Sequence, residues 1–199
     1  TPTPPPPGAP FRAEVVSRRI GERRADLLSA PGHDAARTAA DCRRDPCGDL
    51  HVVLIRRGAR GFSLAGREFE AMAGQIAFCP LWRPFRLHAA SAGYAAFSLA
   101  LPLGERERAR VERFLVGAAP AAESPLGLLL RVACASLARS LTGGPEREIE
   151  TVAAVIERIA LALGHGAAFA TDAGCAETLH RAILAEIDRR AAEADFDLA

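Results

Sequence analysis

Phe62-Ser-Leu-Ala-Gly-Arg-Glu-Phe69 decides the reading of the first half of the chain. Gly66 can supply the positive φ that a tight turn needs, and Phe62, Leu64 and Phe69 give the flanking segments apolar partners, so the stretch reads as a β-hairpin. Outward from it, short apolar runs at 14–20, 50–57, 76–78, 85–88 and 94–101 are separated by glycine or proline, the punctuation of β-structure. Gly58 and Gly61 mark a bend, with Gly58-Ala-Arg-Gly61 reading as a β-turn, and Gly74 opens the next strand. Pro80 and Pro84 bracket an exposed turn that carries Trp82. Short strands this closely spaced predict a sandwich or a barrel over residues 11–103.

After Pro102 the period changes. Residues 105–116 place Val111, Phe114 and Leu115 on one side among charges, an amphipathic helix. Residues 126–141 are almost wholly apolar, with only Arg131 and Arg139 charged, and are expected to form a buried helix. Gly144-Pro145 begins a third, because proline at the first helical position loses no needed hydrogen bond, and Gly164 suits its left-handed stop. Its apolar stripe is Ile149, Val152, Ile156, Ile159 and Leu163. A last helix is expected at 176–193, with Leu179, Ile183, Leu184 and Ile187 on one face.

The 199 residues carry a formal net charge of +1, which gives no electrostatic reason to expect nucleic-acid or membrane binding. All 25 basic residues are arginine, which with the alanine excess reads as genome composition. Five scattered cysteines, Cys42, Cys47, Cys79, Cys134 and Cys175, are too few and odd in number for a secreted disulfide scaffold, so reduced thiols and a cytoplasmic location are expected. Residues 1–10 form a proline-rich arm, expected to be disordered, without the apolar core of a signal peptide. The apolar stretches at 95–103 and 159–163 are too short to span a bilayer, so no membrane partner is expected.

This order of features resembles the N-terminal, cupin-like, ligand-binding domain of AraC/XylS-type transcription regulators, from about Val15 to the chain end. The residues that carry the resemblance are Arg37-Thr38 after a strand, His51-Val-Val-Leu-Ile-Arg-Arg-Gly58, the Gly66-Arg67 hairpin, Gly74-Gln75-Ile76-Ala-Phe78, Arg83-Pro84-Phe85 and Leu101-Pro102. Gln75 stands where the family has an acidic residue. Residues 179–199 resemble the helix leading into the family's DNA-binding domain, and the chain ends at that step. The resemblance implies an α+β fold: a cupin-like antiparallel β-barrel at 11–103, then a helical dimerisation segment at 104–170. Residues 171–199 become a lead-in helix or linker to an absent helix-turn-helix domain. It also implies a homodimer that binds a small-molecule effector and touches DNA only through that absent domain. On this reading the seam of the dimer is Leu179, Ile183, Leu184 and Ile187.

Catalytic and metal chemistry find little footing. His33, His51, His88, His165 and His180 are isolated, and no His-x-His occurs. Cys42 and Cys47 lack the second pair that a zinc site needs. Nucleophile elbow, P-loop and dinucleotide fingerprint are absent, and Ser91, Ser98 and Ser136 have no His or Asp partner evident in sequence. The expectation is a binding protein, with neither catalysis, cofactor nor metal. Candidate ligand contacts are Arg37, Phe62, Phe78, Trp82, Phe85 and Tyr94, the aromatics lining a cavity or simply filling the barrel. Alternation puts Phe85 and Leu87 on one face and Arg86 and His88 on the other. The alternatives are a metal-dependent cupin enzyme and an orphan dimerisation module that binds no ligand.

Overall fold

A computed structural model describes residues 11–114 and 125–164 of the chain. The strands are β1 (Glu14–Ile20), β2 (Arg23–Pro31), β3 (Ala35–Arg37), β4 (Asp49–Arg57), β5 (Ala59–Leu64), β6 (Arg67–Met72), β7 (Ile76–Pro80), β8 (Phe85–Ala89) and β9 (Gly93–Pro102). A short helix α1 (Ala39–Arg44) lies between β3 and β4, and α2 (Glu105–Phe114), α3 (Pro125–Ser140) and α4 (Glu146–Gly164) follow the strands. One antiparallel sheet runs in the order β1-β2-β9-β4-β7 and the other in the order β3-β8-β5-β6. The expected hairpin is β5–β6. Ala65 and Gly66 both take positive φ, +52° and +75°, so the turn is the primed type whose twist matches its strands. Across it Phe62 pairs with Phe69, their rings stacked at 5.0 Å.

The five-stranded sheet is covered on both sides, and side-chain parity decides what each side meets. On β9, Phe97, Leu99 and Leu101 point to the helices; so do Val52 and Leu54 of β4 and Phe78 of β7. These join Leu130 and Leu137 of α3 and Ile149, Ile156 and Ile159 of α4 in one buried cluster. Each such side chain contributes about 1.5–3 kcal/mol by leaving water. Two arginines on the same face of the sheet tie it to the helices. Arg23 Nε donates to Glu157 of α4 at 2.7 Å, and Arg18 donates to the Leu141 carbonyl at 3.1 Å while pairing with Glu146.

Several expectations need correction. Residues 23–31 form a full strand that alternation did not signal, because its sequence, Arg-Arg-Ala-Asp-Leu-Leu-Ser-Ala-Pro, mixes charge with small residues. Pairing to β1 on one side and β9 on the other holds it extended. Gly58 alone makes the bend (φ +73°), and Gly61 is an ordinary residue of β5. Helix α3 is buried on one side only. Gly127, Leu130, Cys134, Leu137 and Ala138 face inward, while Leu128, Leu129 and Val132 are 46%, 47% and 56% exposed. The expected helix at 176–193, with Leu179, Ile183, Leu184 and Ile187, lies outside the described residues, as do the arm at 1–10, Cys175, His165 and His180.

Candidate functional site

On β9 the inner face of the five-stranded sheet carries Ala96 and Ser98 where its outer face carries Phe97 and Leu99. Tyr94 is the third inward position along that strand. Small side chains there leave room, and a cavity of about 500 Å³ lies between the two sheets. That is within the roughly 300–1,000 Å³ of small-molecule sites. Leu28, Val53, Ile55, Phe62, Phe85 and Leu87 make its apolar walls. Val15 and Ser17, exposed on the edge strand β1, mark its mouth.

Polar groups gather at two poles. At one, Arg60 of β5 is buried to 2% exposure. Its position follows from the bend at Gly58, where an added Cβ would lie 2.3 Å from the Gly93 carbonyl oxygen. Ser91 then fixes the start of β5: its hydroxyl accepts from the Ala59 N–H at 3.1 Å and lies 2.7 Å from the Gly93 carbonyl. The guanidinium carbon sits 4.6 Å above the Tyr94 ring, a cation–π contact, and Nη1 donates to the His33 carbonyl. Arg60 Nε and Nη2 have no hydrogen-bond partner among the described residues. Burial lowers the pKa of Arg60 from its ordinary value, with Tyr94 and Asp34 opposing, and burial raises that of Tyr94. Arginine stays charged even so.

At the other pole, His51 Nδ1 lies 3.0 Å from Ser98 Oγ, and His51 Nε2 is buried without a partner among the described residues. Asp26 stands nearby on β2, accepting from the Ser17 hydroxyl at 2.6 Å and from Arg24 Nε at 3.1 Å. Burial lowers the His51 pKa, and Arg24 adds to the effect against the opposing charges of Asp26 and Asp49. The imidazole is therefore held neutral near pH 7. Cys79, opposite His51 in the β4–β7 ladder, has its thiol pushed up to about 12 by burial. Tyr94 and Ser98 are four residues apart on one strand, which sets the poles on the order of 13 Å from each other.

Of the six residues singled out in the sequence, Phe62, Phe85 and Tyr94 line this cavity. Phe78 does not. Its register opposite Val52 turns it into the helix-side cluster. Trp82 also packs against that cluster, from the β7–β8 turn. Arg37 is taken up by structure: Nε donates to the Leu81 carbonyl at 2.9 Å, Nη2 donates to the Asp45 carbonyl, and its guanidinium pairs with the Asp45 carboxylate at 3.6 Å. Thr38, next to it, caps α1 by accepting from the Asp41 N–H at 3.2 Å. A second, more open hollow of about 560 Å³ runs past Arg37, Thr38 and the β5–β6 turn. It lacks the buried, unpaired polar atoms of the first. Alternation on β8 is as read: Phe85 and Leu87 face the cavity, while His88 bonds Ser63 at 2.8 Å.

Arg60 and His51 were not among the ligand contacts expected from sequence, where His51 was weighed only as an isolated histidine. Arg60 sits in Arg-Arg-Gly-Ala-Arg, where an exposed arginine is the ordinary reading, yet its parity with Phe62 and Leu64 was available. Ser98, without an evident partner in sequence, proves to be one of the neighbours of His51. Among the described residues no three histidine, cysteine or carboxylate side chains converge as a metal site would need.

Among solved structures the chain is similar to the AraC-like transcriptional activator CuxR, with a TM-score of 0.65 at 20% identity, covering 81% of this chain. Over that length it has the CuxR fold. The chain spans 60% of CuxR's own length. A cupin superfamily protein from Desulfitobacterium hafniense overlaps 45% of the chain and 77% of its own at 10% identity and a TM-score of 0.37. The cupin domain of an XRE family transcriptional regulator from Enterobacter cloacae overlaps 45% of the chain and 94% of its own at 14% identity and the same TM-score. No family model and no curated protein matches the sequence. The architecture is an antiparallel β-sandwich followed by helices, as the sequence implied. No helix among the described residues is long and apolar enough to cross a membrane.

Proposed function

We propose that this chain is the effector-sensing and pairing part of an AraC-type transcription regulator, working in the cytoplasm. The observation that carries the reading is the cavity between the sheets, apolar along its walls and set with buried polar atoms that have no partner among the described residues. Such atoms are costly to leave unpaired, so a site built around them favours an occupant that completes them. The fold shared with an activator of transcription supports a regulatory use of that binding. Binding fits the poles better than catalysis: among the described residues His51 Nε2 has no hydrogen-bond partner, so the Ser98–His51 pair lacks the third group that orients a catalytic base.

Pairing draws support from α3, where Leu128, Leu129 and Val132 form an exposed apolar patch beside the sandwich. The reading of DNA falls, in this proposal, to a helix-turn-helix module outside the 199 residues. Occupancy would act by favouring one arrangement of the paired subunits.

A thermal-shift screen of aromatic acids, amines and sugars tests the sensing half against Ala96→Phe, which fills the cavity. A class that raises the melting temperature of the wild type and leaves Ala96→Phe unmoved is expected. Equal shifts in both proteins, or none across the screen, would overturn it. Light scattering should give twice the 21.0 kDa chain mass, falling to one chain when Leu129→Glu and Val132→Glu are combined.

A further inference from the structure

We infer that the occupant of the cavity is an organic acid: an apolar body ending in a carboxylate that lands on Arg60. The inference rests on the sensing role proposed above and narrows it to a chemical class. A guanidinium has two edges on which a carboxylate can sit with paired parallel bonds, and one of them is formed by Nε–H and Nη2–H. In Arg60 Nη1 is bonded to the His33 carbonyl, and the two donor atoms buried without a partner among the described residues are Nε and Nη2. They are adjacent and parallel. Among the described residues nothing answers them: no carboxylate there lies within ion-pairing distance of Arg60. Asp34, whose charge it feels, spends Oδ1 on the Ala89 N–H at 2.8 Å.

The setting strengthens the assignment. A cation at 2% exposure without a counter-ion is unfavourable, and an incoming anion relieves that cost in the low-dielectric pocket where the attraction is greatest. Tyr94 covers one face of the guanidinium and so directs approach to its edge. Beyond this polar end, Leu28, Ile55, Phe62 and Leu87 offer only apolar contact. A small inorganic anion would leave those walls empty. A sugar would leave hydroxyls against them without partners. An acid with an aryl or alkyl body satisfies Arg60 and the walls beside it.

The test uses the whole chain and a neutral fluorescent reporter, N-phenyl-1-naphthylamine, displaced by phenylalkanoic acids and by their primary amides. Each amide keeps the shape and size of its acid and removes the charge. Acids should displace the reporter at concentrations about tenfold or more below their amides, the ratio expected from a charge-assisted pair of bonds. Arg60→Met, an apolar residue of similar length, should erase that ratio, which is read between acid and amide on the same variant. Arg60→Lys keeps the charge without the fork, and should retain part of the ratio even if the methionine variant does not fold. Acids and amides displacing alike from the wild type would overturn the acid assignment and leave the cavity reading standing. A reporter that fails to bind, or that binds Ala96→Phe as well as wild type, would overturn both.

Discussion

The two faces of the five-stranded sheet are made by the same strands and do opposite things. Toward the helices, Phe97, Leu99, Leu101, Val52 and Phe78 are fully buried against α3 and α4. Toward the second sheet, the neighbouring positions are Ala96, Ser98, His51 and Val53, and they border a hollow. The difference is the size of alternate residues. One parity of β9 reads Phe, Leu, Leu and the other Tyr, Ala, Ser, so the first face fills the space against the helices while the second leaves a hollow beside its smaller cluster. The larger packed cluster lies on one side of the sheet, and the hollow, beside a smaller cluster, lies on the other.

The largest effect that would break this comparison is on the packed face. Phe97→Ala should cost about 3–5 kcal/mol in denaturant unfolding, since the space it leaves is walled by strands and helices that cannot collapse. A loss below 1 kcal/mol would mean that this face is not the stabilising one.

Acidification sharpens it next. His51, on the hollow face, has its folded pKa lowered by burial first and by Arg24 second. The groups around it are Arg24, Asp26, Asp49, Cys79 and Ser98. In the unfolded chain the imidazole protonates near its ordinary value of about 6.5, while in the folded chain it resists until lower pH. Between those values the unfolded state binds more protons, so the contribution of His51 is fully present above about pH 6.5 and is lost as pH falls through the folded value. The stability gap between wild type and His51→Gln should therefore shift against the wild type on going from pH 7.5 to 5.5. A gap that does not move, or moves the other way, removes the neutral imidazole from the account.

The smallest effect lies at the rim of the packed face. Arg18→Ala should cost at most about 1 kcal/mol, with the ion-pair part fading in salt, because Glu146 is 60% exposed.

Much of the fold was legible because its signals are local. Gly66 and the alternation of 62–69 gave the hairpin, and Pro102 marked the change from strand to helix. What could not be read was which neighbour each face would meet. Phe78 and Ile76 share a face by parity, but a sheet covered on both sides is apolar on both, and nothing local says which side holds the hollow. Strand β2 was hidden for a related reason: Arg23 looks like a solvent residue, yet it reaches Glu157 of α4. The exposed side of α3 was invisible because composition reports how apolar a helix is and not how much of it one chain covers.

Ala25 and Ala96 test the division of the sheet most directly, each being a buried alanine on a strand of that sheet, one per face. Ala25→Leu and Ala96→Leu are unfolded in urea under the same conditions. Ala25→Leu should lose about 1–3 kcal/mol through overpacking, whereas Ala96→Leu should lose nothing or gain, and should weaken reporter binding. Equal losses from the two substitutions would contradict the existence of a hollow face.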